Sequence, residues 1–98
     1  MRRKTIFFED MAVLNAAALR VIFQEIGYPA AALSLKDEKP EFRTGVLVKL
    51  PPAMREIIQQ ELDMSADDKE GSIEAKTRVL DLARRLLQEG RITLPERK

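Results

Sequence analysis

Residues 50–63 read LPPAMREIIQQELD, in which two adjacent prolines precede an amphipathic run. Residues before a proline avoid the helical conformation, whereas proline suits the first turn of a helix, so Pro51 and Pro52 predict that one helix ends here and the next begins. Four apolar side chains then recur with helical spacing: Met54, Ile57, Ile58 and Leu62. This pattern predicts an amphipathic helix with one buried face and one outward polar face.

Similar signals divide the rest of the chain into short helices, with almost none of the alternation that is typical of strands. The other predicted helical segments are residues 9–14, 16–26 behind the N-cap Asn15, 29–36 opened by Pro29, 40–50 opened by Pro40, and 73–89 between the N-cap Ser72 and Gly90. Residues 65–71 are predicted to be a polar loop. We therefore predict an all-α fold, a compact bundle of about six short helices.

Eight apolar residues at helical spacing are predicted to form the core of this bundle: Leu19, Ile22, Phe23, Ile57, Ile58, Leu62, Leu82 and Leu86. A domain of 98 residues needs such residues inside, because its surface is large relative to its volume. We expect a single domain over residues 1–98, in which 1–6 are an N-terminal extension and 95–98 a frayed tail. Ile92 and Leu94 are expected to pack back on the bundle.

The composition argues against several classes of function. The 17 Lys and Arg nearly balance the 16 Asp and Glu, so no net field recruits nucleic acid. The chain has no Cys and no His, which removes thiolate and imidazole catalysis and the usual zinc sites. Paired carboxylates such as Asp67 and Asp68 lack a third ligand or a base nearby in the sequence. We therefore expect no catalytic residue, no metal and no cofactor, and we predict that the protein is not an enzyme.

The sequence also lacks the features of a membrane or secreted protein. No apolar run approaches the roughly 20 residues that a bilayer span requires. The basic N-terminus is followed by Glu9 and Asp10, where a signal peptide would have an apolar segment. A soluble cytoplasmic protein without membrane insertion is the prediction.

Five short stretches of the sequence carry a resemblance to a known family. They are IFFED at 6–10, QEI at 24–26, ALSLK at 32–36, the segment from Glu74 to Leu86, and EGRI at 89–92. In this order, and with nearly unchanged spacing, they resemble the C-terminal six-helix unit of the flagellar motor switch protein FliG over nearly the whole chain. The resemblance implies a rotor (C-ring) component at the cytoplasmic face of the flagellar basal body, with armadillo-related superhelical packing and other flagellar rotor proteins as partners.

In that family, charged side chains of this unit contact the cytoplasmic loop of the stator to generate torque, and the fifth helix carries most of them. The resemblance places three such charges on Lys36, Glu61 and Lys69, which are the candidate stator-interaction residues. Two further charges are lost, because Ala53 stands in place of an arginine and Gln60 in place of an acidic residue. This weakened charge set leaves an alternative open: a non-motor helical adaptor or regulator that binds other proteins through an apolar groove.

Three neighbouring features bear on these expectations. Arg55 lies two residues from Ala53, about 200° around a helix, and therefore does not replace the missing arginine on the same face. Phe7 and Phe8 match an aromatic segment that is a hinge in the family, and here we expect at least one of them to pack against the bundle. In the family this unit follows an anchoring domain and a middle armadillo-like domain, so the 98 residues fit either an excised domain or a stand-alone paralogue.

Overall fold

The computed structural model describes residues 6–94, which fold into six helical segments with no strand in that range. In chain order they are a 3₁₀ helix (Phe8–Ala12) and five α-helices: α1 (Ala16–Ile26), α2 (Tyr28–Lys36), α3 (Pro40–Leu47), α4 (Pro52–Met64) and α5 (Lys69–Gln88). The all-α prediction is confirmed, although the first segment is a 3₁₀ helix and not an α-helix. Helix α2 lies at the centre, where it packs against α1, α4 and α5.

Several predicted helix ends are confirmed. The Asn15 side chain accepts a hydrogen bond from the Ala18 amide at 2.8 Å and caps α1. Pro40 and Pro52 are the first residues of α3 and α4. Between α1 and α2, Gly27 has φ 92° and ψ 148°, a conformation that residues with a side chain rarely adopt. Glycine at this position therefore allows α2 to start immediately after α1 ends.

The start of α5 differs from the prediction. The helix begins at Lys69 and its N-cap is Asp68, whose carboxylate accepts a hydrogen bond from the Gly71 amide at 2.9 Å. Ser72 is not the cap: it is fully buried inside the helix, and its hydroxyl has no hydrogen-bond partner within the described part of the chain. Because Gly71 has no side chain, it leaves room for the Asp68 carboxylate, which would lie 2.3 Å from a Cβ there. The predicted polar loop shortens to residues 65–68.

Helix α3 ends earlier than predicted, at Leu47 and not at Leu50. Residues 48–50 have turn and bend conformations ahead of the two prolines. Pro51 disfavours the helical conformation at Leu50, which is why the helix does not extend through that residue. Leu50 is buried even though it lies outside the helix.

The core prediction is confirmed at seven of its eight positions: Leu19, Ile22, Phe23, Ile58, Leu62, Leu82 and Leu86 are buried. Ile57 is the exception and is 39% exposed. Helix α4 buries the row Met54, Ile58 and Leu62, whose members are four residues apart. Ile57 lies about 100° around the helix from Ile58, and so falls outside this row.

Both ends of the described range pack against the core. Ile92 is buried and Leu94 is partly buried against it, as predicted. Ile6 is buried as well, with 2% of its surface exposed. Residues 1–5 of the predicted extension and the predicted tail 95–98 lie outside the described residues.

Candidate protein-interaction surface

Helix α4 presents an outward line of side chains, centred about 130° around the helix from its buried row. Ala53, Ile57, Gln60 and Met64 are exposed, and at spacings of four, three and four residues they form one line along the helix, which we call the α4 outer stripe. Ile57 is 39% exposed and Met64 82% exposed. Positions 53 and 60, where the resemblance places lost charges, both lie on this stripe. The stripe is therefore neutral along its length.

Three carboxylates border the α4 outer stripe. At about 100° per residue, Glu56 and Asp63 lie on one side of the stripe and Glu61 on the other. Asp63 accepts a hydrogen bond from the Gln59 side chain at 3.0 Å. Within residues 6–94, none of the three carboxylates forms an ion pair with a basic side chain. Sequence reasoning missed Glu56 and Asp63, although each lies three residues beyond an altered position, 53 or 60.

Lys36, the first candidate residue, is directed into the fold. It is the last residue of α2 and is half-buried. Its ammonium donates a hydrogen bond to the Leu62 carbonyl at 2.7 Å. Leu62 lies in the last turn of α4, where carbonyl groups lack helical partners and the helix dipole attracts a cation. Lys36 therefore fastens the end of α2 to the end of α4.

Arg55 has the same role at the end of α3. Its guanidinium donates hydrogen bonds to the carbonyls of Leu47 and Leu50, each at 3.1 Å. These carbonyls lie at the C-terminal end of α3 and in the turn after it, beyond the regular helical bonding pattern, and the Leu47 carbonyl also accepts the Leu50 amide at 3.1 Å. Arg55 is thus oriented toward α3, which agrees with the expectation that it does not replace the charge lost at Ala53.

Two more basic side chains cap helix ends in this part of the molecule. Arg43 donates to the Lys36 carbonyl, at the end of α2, with a distance of 3.5 Å. Lys49 donates to the Leu14 carbonyl at 2.8 Å and also to the Ala12 carbonyl, at the end of the 3₁₀ helix. Side chains from neighbouring elements thus satisfy the carbonyl ends of four helices. Many of the basic side chains around α3 and α4 are therefore engaged in hydrogen bonds within the fold.

The other two candidate residues lie at the surface near the C-terminal end of α4. Glu61 is half-exposed, and its backbone carbonyl accepts hydrogen bonds from the amide and the hydroxyl of Ser65, at 3.0 and 2.6 Å. Lys69 is exposed at the first position of α5, across the loop 65–68. Among the described residues, no hydrogen bond or ion pair joins the side chains of Lys36, Glu61 and Lys69.

A groove runs between α3 and α4 beside the α4 outer stripe. It has a volume of about 460 Å³. Its apolar lining includes Leu47, Val48 and Pro52, and its α4 wall carries polar side chains such as Glu56 and Gln59. Val48 is 60% exposed, so an apolar side chain is available to a partner here. The groove therefore combines apolar side chains with polar side chains of α4.

The two aromatic candidates have different environments. Phe7 is 51% exposed, and its backbone amide donates to the Asp10 carboxylate at 2.8 Å. Phe8 is half-buried and packs on Phe42 of α3, with ring centroids 5.8 Å apart. The Lys76 ammonium of α5 lies 5.4 Å from the Phe8 ring centroid. Phe8 thus takes the packing position against the bundle, between α3 and α5.

Two other kinds of site are absent from the described part of the chain. Residues 6–94 contain no group of three or more His, Cys, Asp or Glu arranged to hold a metal ion. No helix in this range has the length and apolar character needed to cross a membrane.

Comparison with known proteins identifies the family to which the sequence is similar. A family model described as the FliG C-terminal domain matches residues 1–94 of the chain. The comparison with curated proteins gave no match. The family match confirms the resemblance inferred from the five short stretches of sequence.

Proposed function

Since the chain belongs to the FliG C-terminal domain family, a family of flagellar motor switch components, we propose that it acts in the rotor and contacts the stator through the face of α4. The proposed partner is the cytoplasmic loop of the stator, and the contact transmits torque. The observation that carries the proposal is the exposed α4 outer stripe with its border of carboxylates, at the positions where the resemblance places the family's charged helix.

The side chains available for this contact differ from the set that the resemblance implies. Glu61 and Lys69 lie at the surface, whereas Lys36 is hydrogen-bonded to Leu62. Glu56 and Asp63 add negative charge beside the neutral positions of the stripe. Exposed ion pairs contribute only about 0–1 kcal/mol each. A contact built from a few of them is weak and salt-sensitive, which suits a surface that must bind and release its partner repeatedly.

The proposal is tested by exchanging domains. Residues 7–94 replace the equivalent portion of a full-length rotor protein in a motile bacterium that lacks its own copy, and filaments and swimming are scored separately. We expect flagellated, swimming cells. In the same strain, Glu61→Lys is expected to reduce swimming, because it reverses a charge at the border of the stripe. The matched control Glu74→Lys reverses an exposed charge on α5 and is expected to leave swimming unchanged. Flagellated cells that do not swim would overturn the torque role.

The groove between α3 and α4 favours a second function, that of a helical adaptor without a torque role. An apolar segment of another protein would occupy the groove against Val48, an exposed apolar side chain of its lining. The two functions respond differently to substitution. Val48→Ser would impair an adaptor, whereas Glu61→Lys, on the border of the α4 outer stripe, would leave an adaptor unaffected.

A further inference from the structure

We propose that the α4 outer stripe binds a basic amphipathic helix of the partner protein. The apolar residues of that helix pack on Ile57 and Met64, and its Lys or Arg residues pair with the carboxylates on both sides of the stripe. This inference rests on the proposed function in taking the same face as the contact surface. It adds the chemical nature of the partner segment, which carries positive charge and apolar side chains. A surface with charges of both signs would instead fit a partner segment that carries both signs.

The core of the fold does not depend on the apolar side chains of the stripe. Helix α4 already buries Met54, Ile58 and Leu62 against the rest of the bundle. Ile57 and Met64 lie seven residues apart on one line outside this buried row, with Met64 82% exposed. Single exposed apolar side chains are common, but two on one line of a helix form a surface that another helix can cover. The flexible Met side chain adapts readily to the shape of a partner.

The α4 side chains that border the stripe carry charge of one sign, and Lys69 lies beyond the stripe, on α5. Glu56 and Asp63 border one side and Glu61 the other, and none of them is in an ion pair within residues 6–94. Arg55, the basic residue of α4, is turned toward the end of α3, where it donates to the Leu47 carbonyl. The Lys36 ammonium is likewise held at the Leu62 carbonyl. A complementary partner therefore supplies positive charge on both sides of an apolar row.

The geometry of the stripe selects a helix as the partner's secondary structure. From residue 53 to residue 64 the stripe extends over about 16 Å, or three turns of helix. A second helix laid along it meets side chains at spacings of four, three and four residues, the spacing of one face of a helix, and three of these four side chains, those of Ala53, Ile57 and Met64, are apolar. An added strand would need unpaired backbone groups, and the backbone groups within a helix are already bonded to one another.

Two synthetic peptides of about 18 residues, or five helical turns, serve as probes. Both have Leu at helical spacing; one has Lys at the other positions and the second has Glu. Their affinities for the 98-residue chain are measured by fluorescence anisotropy at low salt, and the contact is mapped by NMR chemical shifts. We expect the Lys peptide to bind with shifts centred on α4, and the Glu peptide not to bind. Equal binding of the two peptides, or shifts centred on another helix, would overturn the inference.

Matched serine substitutions separate the stripe from general charge attraction. Ile57→Ser on α4 is expected to weaken binding of the Lys peptide about five- to tenfold, because part of an apolar side chain is no longer buried. Ile73→Ser removes an isoleucine that is 62% exposed on α5 and is expected to leave the affinity unchanged. An equal loss in the two variants would show that the peptide does not select the stripe.

The same variants distinguish failure of this inference from failure of the stator role. If the domain-exchange strain swims and continues to swim equally well with Ile57→Ser and Met64→Ser combined, the helix-docking inference is wrong and the stator role stands. If the strain does not swim but the Lys peptide binds in an Ile57-dependent way, the inference stands and the stator role is wrong.

Discussion

Asp68 and Ser72 are four residues apart, and both belong to the residue types that cap helices. Sequence pattern alone favours Ser72, because it directly precedes the apolar Ile73. The structure assigns the cap to Asp68, since Gly71 gives its carboxylate the space to reach the helix amides. The type of the capping residue is thus predictable, whereas its position depends on a contact that only the folded chain shows.

Substitution by alanine distinguishes the two residues. Asp68→Ala is expected to lower the free energy of unfolding by about 1 kcal/mol, because the cap of α5 is lost. Ser72→Ala removes a buried hydroxyl that has no hydrogen-bond partner in the described range, and it is expected to leave stability unchanged or to raise it by up to about 1 kcal/mol. Urea unfolding of the two variants measures both effects. A larger loss of stability for Ser72→Ala than for Asp68→Ala would show that Ser72, and not Asp68, caps α5.

At the scale of elements, helix boundaries follow from the sequence better than contacts between helices do. Asn15, Pro40 and Pro52 mark helix starts through local stereochemistry, which acts within a few residues. The ties between helices join more distant positions: Lys36 reaches Leu62, 26 residues away. No periodicity or capping signal encodes such a bond, and so Lys36 could be identified from the sequence only as a surface charge.

The fastening role of Lys36 predicts a loss of stability when its charge is removed. Lys36→Met keeps the aliphatic stem but leaves the Leu62 carbonyl at the end of α4 without its donor, and we expect a loss of about 1 kcal/mol in the free energy of unfolding. Lys69→Met is the matched control, because Lys69 is exposed and its side chain makes no hydrogen bond to another helix within residues 6–94. Urea unfolding compares the two. Equal stability of both variants would show that the Lys36 bond contributes nothing to the fold.

For the whole molecule, the formal net charge of +1 conceals a segregation of charge. Around α3 and α4, basic side chains turn to helix ends, whereas the carboxylates of α4 lie outward. At the other end, Arg85 and Arg91 pair with Glu25 of α1 at 3.6 and 3.2 Å. Composition indicated that a partner would recognise a local patch. It could not show which patch, because the orientation of each charged side chain depends on the tertiary fold.

The surface proposed for the stator could be located only in part from the sequence. The resemblance placed it on the helix of residues 52–64 and identified Ala53 and Gln60 as altered. The sequence predicts that Ile57 belongs to the core, because its spacing fits a helical stripe as well as that of Ile58 does. Only packing against α2 decides which of two adjacent isoleucines is buried, and it leaves Ile57 on the outside.

Cysteine cross-linking in cells tests the α4 contact directly. The chain contains no Cys, so no native cysteine of these 98 residues can form a competing disulfide. A rotor protein carrying residues 7–94, with its other cysteines removed, receives Gln60→Cys on the α4 outer stripe, or Gln24→Cys at an exposed position of α1 as control. Each is paired with single cysteines along the cytoplasmic loop of the stator, since a disulfide forms only when the Cα atoms approach to about 4.4–6.8 Å. We predict a rotor–stator disulfide from position 60 and not from position 24. Equal cross-linking at both positions, or cross-linking from position 24 alone, would contradict the assignment of α4 as the stator-facing surface.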